Sequence, residues 1–123
     1  MSQDPLTRKI IGCAIEVHRA LGPGLLESAY QRCLAHELAV QGVAFEAEKA
    51  IPVTYKGLEL DCGYRIDFLV EKEVVVELKS VDKLVGLHHA QLLTYLRLAN
   101  AGCGLLINFN TPRLVDGIKR FRI

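Results

Sequence analysis

The sequence feature that most constrains the fold is an apolar run that carries two charges. Residues 74–79 read VVVELK, with three consecutive valines before a Glu-x-Lys pair. Apolar residues at consecutive rather than alternate positions are typical of a strand that is buried on both faces. Such a strand needs other strands beside it and helices above and below it. The run therefore predicts the central strand of an α/β domain.

Helical periodicity appears on both sides of this strand. Asp4 before Pro5 is typical of a helix start, and apolar residues recur at helical spacing up to Gly22-Pro23. A second helix is predicted from about Leu25 to Gly42, where glycine favours a helix end. Residues 87–99 predict a third helix. We expect two helices before the sheet and one after its central strand.

The pattern changes to that of β-strands over residues 43–80, where apolar and polar side chains alternate from Ile51 to Phe68, which predicts a meander of antiparallel strands. A tight turn is expected at Lys56-Gly57, between a strand at residues 51–55 and a longer strand at residues 60–68. Residues 105–109 predict another strand. Residues 114–123 remain open between a strand and an irregular tail, with the strand favoured. The order ααβββαβ predicts one domain over residues 1–123, a mixed sheet flanked by helices.

Length and composition narrow the class of protein. No apolar run approaches the roughly 20 residues that span a bilayer, and the N-terminus shows no secretion signal, so we expect a cytoplasmic protein with no membrane association. The four cysteines lack C-x-x-C spacing and are expected to be reduced, buried thiols. The net charge of +1 is low for a protein that binds phosphates over a large surface.

The candidate site combines Asp67 with the Glu-x-Lys pair. Period-two alternation places Glu77 and Lys79 on one face of their strand, about 6 to 7 Å apart. A three-residue loop at residues 71–73 would pair Val70 with Val74 and set Asp67 opposite Glu77. A two-residue loop would set Asp67 against Val76 instead. The site therefore requires an odd number of connecting residues.

Two adjacent carboxylates predict a bound cation. Buried carboxylates repel each other and cost several kcal/mol each unless a counter-charge is present. Carboxylate and backbone carbonyl oxygens suit Mg²⁺ or Mn²⁺. Lys79 would orient a metal-bound water for attack on a phosphate and stabilise the negative charge that develops there. The alternative is that Asp67, Glu77 and Lys79 are ordinary charges at a sheet edge.

These residues resemble the PD-(D/E)XK nuclease motif, with Ile66 in place of the motif's proline. In addition, residues 24–30, GLLESAY, resemble the signature of the GxxExxY protein family, and residues 90–96, AQLLTYL, resemble its third block. The resemblance extends from about Ile10 to Lys119. It implies a restriction-endonuclease-like core.

Carried over by position, the resemblance implies a role for six residues. Asp67, Glu77 and the backbone carbonyl of Leu78 would bind the metal, and Lys79 would serve the nucleophilic water. Glu27 would add an acid from the opening helices, and Gln91 would approach from the helix after the central strand. Glu27 is equally well explained as a first-turn acid that favours the helix dipole, and Gln91 as a partner of a backbone group.

The sequence thus predicts a metal-dependent nuclease or nuclease-like protein that hydrolyses phosphodiester bonds, with DNA expected and RNA left open. The alternative is a catalytically silent nuclease-fold module that binds nucleic acid or a protein. A homodimer, or a protein partner that supplies specificity, is compatible with so small a domain.

Overall fold

The computed structural model describes residues 4–123, so Met1–Gln3, part of the segment expected to lack a secretion signal, lie outside the described residues. Three helices and seven strands form in chain order. They are α1 (Pro5–Leu21), α2 (Glu27–Val40), β1 (Phe45–Ala50), β2 (Val53–Tyr55), β3 (Leu58–Leu60), β4 (Arg65–Val70), β5 (Val74–Lys79), α3 (Gly86–Ala99), β6 (Cys103–Asn108) and β7 (Ile118–Arg122). A short 3-10 turn, Leu114–Gly117, precedes β7.

The main sheet has the strand order β1-β4-β5-β6-β7, so β5 lies at its centre as predicted. Strand β5 pairs antiparallel with β4 and parallel with β6, and α3 forms the crossover between the two parallel strands. The other pairs, β1 with β4 and β6 with β7, are antiparallel. The predicted mixed sheet flanked by helices is confirmed.

The two faces of β5 belong to different core clusters. Val74, Val76 and Leu78 pack in the cluster that contains buried residues of α1 and α2. Val75 packs in the cluster that contains Leu92 and other residues of α3. Because side chains alternate along a strand, Glu77 and Lys79 follow Val75 onto the α3 side.

The predicted meander is wrong in one respect. Strands β2 and β3 form a separate two-stranded sheet, and the strand expected over residues 60–68 is interrupted between β3 and β4. The N–H of Gly63 donates to Oδ1 of Asp61 (3.0 Å), and Gly63 has φ +78. This local turn replaces ladder hydrogen bonds and separates the hairpin from the main sheet. The strand favoured over residues 114–123 is confirmed for Ile118–Arg122 (β7), whereas Leu114–Gly117 form the 3-10 turn.

The expected buried thiols are confirmed for Cys13 and Cys103, whereas Cys33 is half-buried. The prediction is wrong for Cys62, which is exposed because it lies in the link between β3 and β4. None of the helices described in residues 4–123 meets the length and hydropathy that a membrane span requires.

Candidate active site

The turn between β4 and β5 has the length that the candidate site requires. Val70 pairs with Val74, and the register continues through Phe68 and Val76. The intervening turn contains Glu71 and Lys72, both with positive φ. The loop thus has the odd number of residues that the site requires, and one further step in this register brings Asp67 opposite Glu77.

At that step the side chains replace the backbone ladder. The N–H of Asp67 donates to Oε1 of Glu77 (2.8 Å), and the N–H of Leu78 donates to Oδ2 of Asp67 (2.8 Å). Each carboxylate thus accepts a backbone N–H from the opposite strand. The two acids lie side by side where β4 and β5 separate.

Burial makes this pair of acids electrostatically costly. Glu77 is only 7 % exposed and Asp67 is half-buried. Burial, followed by the charge of Asp67, raises the pKa of Glu77 to about 8. Burial also raises the pKa of Asp67, against the hydrogen bond from Leu78, which lowers it. The site therefore disfavours two negative charges unless a positive charge is nearby.

The donor set fits a hard divalent cation. Within the described residues, the second oxygen of each carboxylate accepts no hydrogen bond. Each of these two oxygens keeps some exposure to solvent, since neither is among the fully buried polar atoms that lack a partner. Because the Leu78 N–H faces β4, the carbonyl of Leu78 faces the same gap. Two carboxylate oxygens and a carbonyl leave room for the waters that Mg²⁺ usually retains.

Lys79 occupies the last position of β5 and is half-buried. Its backbone carbonyl accepts the N–H of Phe109 (2.9 Å), which fixes this residue against the end of β6. The positive charge of Lys79 lowers the pKa of both acids, although burial outweighs it. The ammonium group thus acts on the same two carboxylates that the sequence grouped with it.

Glu27 is exposed at the first position of α2 and reaches the segment that follows β5. Its Oε2 accepts the N–H of Ser80 at 3.3 Å, while the Ser80 hydroxyl donates to the carbonyl of Leu25 (2.6 Å). Its charge also raises the pKa of Asp67 and of Glu77, after larger effects. Glu27 therefore borders the acid pair, next to a backbone N–H.

Tyr30 holds the loop that carries Glu27. Its hydroxyl donates to the carbonyl of Gly22 (2.6 Å) and accepts the N–H of Leu25 (3.1 Å). Its fully buried ring stacks on Phe109, with centroids 4.3 Å apart. Gly24, in the same loop, has φ +99, a conformation that favours glycine. The segment GLLESAY thus forms a local structure that fixes the start of α2.

Gln91 is an exposed residue of α3, and its side chain bonds to Tyr95 rather than to either acid. Its Nε2 donates to the hydroxyl of Tyr95 (3.1 Å). Burial raises the pKa of Tyr95, and the charge of Glu77 is the next cause. Gln91 therefore contacts Tyr95, the α3 residue whose pKa the charges of the acid pair raise.

Sequence reasoning missed Glu48. The pairs Ala47 with Phe68 and Lys49 with Ile66 leave Glu48 opposite Asp67, and Glu48 has φ +50. Its charge raises the pKa of Asp67 further. The sequence of β1, FEAEKA, contains Glu48, but its position opposite Asp67 follows only from the register between β1 and β4. The sequence pattern did not distinguish β1 as a separate strand.

In residues 4–123, no group of three or more His, Cys, Asp or Glu side chains has the geometry of a metal site.

The family model of the PD-(D/E)XK nuclease superfamily matches residues 4–121. Comparison with curated proteins gave no match, and neither did comparison with solved structures.

Proposed function

The chain belongs to the PD-(D/E)XK nuclease superfamily, and from this membership we propose that it is a metal-dependent nuclease. Its substrate would be the phosphodiester bond of a nucleic acid, with DNA expected. The observation that carries the proposal is the reciprocal pair of hydrogen bonds that joins Asp67 and Glu77 at the end of the β4–β5 ladder. It leaves each carboxylate one oxygen for a ligand.

In this proposal Asp67, Glu77 and the carbonyl of Leu78 hold Mg²⁺ or Mn²⁺. The cation would supply an activated water and charge neutralisation at the phosphate. The backbone N–H groups keep both carboxylates oriented before any ligand binds. Lys79 would orient the attacking water and stabilise the negative charge that develops on the phosphate.

Glu27 and Gln91 have supporting roles in the proposal. Glu27, held by Ser80, would place a third acid at the rim, where it adds attraction for a cation. Gln91 would act through Tyr95, whose hydroxyl it contacts. Tyr30 and Gly24 form the local structure around Glu27, which supports assignment of the chain to the GxxExxY family. A second copy or a protein partner would supply specificity.

A second function is favoured by two observations. The net charge is +1, and within residues 4–123 no cluster of three metal-ligating side chains forms. Both suit a catalytically silent module that keeps the nuclease fold and binds nucleic acid or a protein.

Cleavage assays separate the two functions. Purified protein is incubated with single-stranded and double-stranded DNA and RNA, in Mg²⁺, Mn²⁺ or EDTA. Glu77→Gln and Lys79→Ala are compared with Glu73→Gln and Lys72→Ala, which alter exposed residues of the adjacent turn. We expect metal-dependent cleavage that falls at least about a hundredfold in the first two variants and is unchanged in the controls.

Metal-independent binding that is equal in all five proteins, without cleavage, would select the silent module. Cleavage that persists in EDTA, or that survives Glu77→Gln, would contradict the proposed site.

A further inference from the structure

A second feature of the structure adjoins the acid pair. A cavity of about 460 Å³ lies between α3 and the segment from β2 to the start of β4. Its lining includes the apolar or aromatic residues Tyr64, Val53 and Leu87 and the polar residues Gln91, His88 and Tyr95. A mostly apolar cavity of this size with a few polar groups is typical of a small-molecule or cofactor-sized site.

The cavity lies on the side of the sheet that carries Glu77. Tyr95 lines the cavity and belongs to the same buried cluster as Val75, which shares its face of β5 with Glu77. Gln91 donates to the Tyr95 hydroxyl and lines the same cavity. A molecule in the cavity would therefore lie on the same side of the sheet as Glu77.

Tyr64 is the more exposed of the two tyrosines that line this cavity. It is 47 % exposed, whereas Tyr95 is 7 % exposed. The two ring centroids are 6.4 Å apart and their planes are inclined by 56°. The backbone of Tyr64 is fixed, because its carbonyl accepts the N–H of the buried Ile51 (2.9 Å). The inclined rings leave Tyr64 free to stack with one further flat group.

We propose that this cavity receives an unpaired nucleobase next to the scissile phosphate, with Tyr64 as its stacking platform. The proposal rests on the nuclease function proposed above and narrows its substrate to nucleic acid that is single-stranded at the cleavage point. A base inside a duplex is stacked on both faces and paired at its edge, so it would have to leave the helix to enter such a cavity. An unpaired base avoids that cost.

The low net charge agrees with this substrate. Proteins that hold duplex DNA through its phosphates need many basic side chains, whereas the stacking of a base on an aromatic ring requires no basic side chain. His88 and Gln91 line the cavity, and each carries a further polar atom, Nε2 of His88 and Oε1 of Gln91, that could pair with a base edge. Recognition by stacking suits a chain with a formal charge of only +1.

The test measures binding separately from cleavage. In EDTA, fluorescence anisotropy gives the affinity of full-length protein for labelled oligothymidine, for oligouridine, and for each strand annealed to its complement. The variants are Tyr64→Ala, Tyr64→Phe and the matched control Tyr55→Ala, an exposed tyrosine that does not line the cavity. Urea denaturation shows whether each variant is folded, and cleavage of the same oligonucleotides is measured with Mg²⁺.

We expect tighter binding of single strands than of duplexes. Tyr64→Ala should weaken single-strand binding by about fivefold to a hundredfold, Tyr64→Phe should keep it, and Tyr55→Ala should leave it unchanged. The oligothymidine and oligouridine arms decide whether the base comes from DNA or RNA. Equal affinity for duplexes, or no effect of Tyr64→Ala, would overturn the proposal.

The two proposals fail in different ways. Single-strand binding that depends on Tyr64, without cleavage in any metal, would overturn the nuclease function and support the base-binding cavity. Metal-dependent cleavage with binding indifferent to Tyr64 would overturn the cavity assignment alone.

Discussion

Loss of stability with rising pH is the most direct consequence of the buried acid pair. In metal-free protein the pKa of Glu77 is raised from its ordinary 4.5 to about 8 by burial and by Asp67. The folded protein therefore holds this proton more tightly than the unfolded chain does. Between pH 4.5 and about 8 the unfolded chain is ionised while the folded protein stays protonated, so the free energy of unfolding falls as pH rises.

The structure sets the size of the effect. Each tenfold change in proton affinity corresponds to about 1.4 kcal/mol, so the interval from 4.5 to about 8 has a ceiling of about 5 kcal/mol. Because the separated strand ends can admit water when Glu77 ionises, we expect a loss of about 2–4 kcal/mol between pH 5 and pH 8. The raised pKa of Asp67 acts in the same direction.

The assay is urea denaturation in EDTA across this pH range, for the wild type and Glu77→Gln. The amide of Gln can still accept the N–H of Asp67 but carries no charge, so the variant should lose most of the pH dependence and be more stable than wild type at pH 8. Mg²⁺ should restore wild-type stability at pH 8, because a ligand that binds only the folded state stabilises it. Glu73→Gln, at an exposed position, serves as control. Wild-type stability that is constant between pH 5 and pH 8 in EDTA would refute the reasoning.

Two further substitutions test contacts that stabilise the fold. Tyr30→Phe removes both hydroxyl hydrogen bonds in the loop before α2 and should lower the free energy of unfolding by about 1–2 kcal/mol in urea denaturation, whereas Tyr55→Phe should not. Gly117→Ala would press a methyl group against the backbone carbonyl of Asn108 and should lower the melting temperature through a loss of about 2–3 kcal/mol. Gly12→Ala, which meets nothing within 4 Å, should be neutral or stabilising; equal effects of the two alanines would contradict this account.

The sequence predicted the core of the fold because the relevant signals are local. Strand β5 is recognisable from consecutive valines, and the helices from their periodicity and their proline and glycine boundaries. The sequence also narrowed the register of β4 and β5 to two alternatives, because a short turn connects these strands, and the structure has the alternative that the site requires. These features depend on residues close together in the chain.

Features that depend on distant pairing were not predictable. The alternation through residues 60–68 gives no sign that Asp61 captures the N–H of Gly63 and ends the strand. The position of Glu48 depends on the pairing of β1 with β4, whose residues are separated by the hairpin β2–β3. The effect of the Glu77 charge on Tyr95 depends on how α3 packs on the sheet, which no local pattern shows.

The point where β4 and β5 separate explains why acids are needed there at all. Once the ladder ends, the N–H groups of Asp67 and Leu78 need new acceptors, and the two carboxylates supply them. Neutral amides could accept the same hydrogen bonds without the electrostatic cost that raises the pKa of both acids. Backbone satisfaction alone therefore does not account for two carboxylates at this position. Their cost is accounted for if a cation uses the oxygens that the backbone leaves free, as expected where function opposes stability.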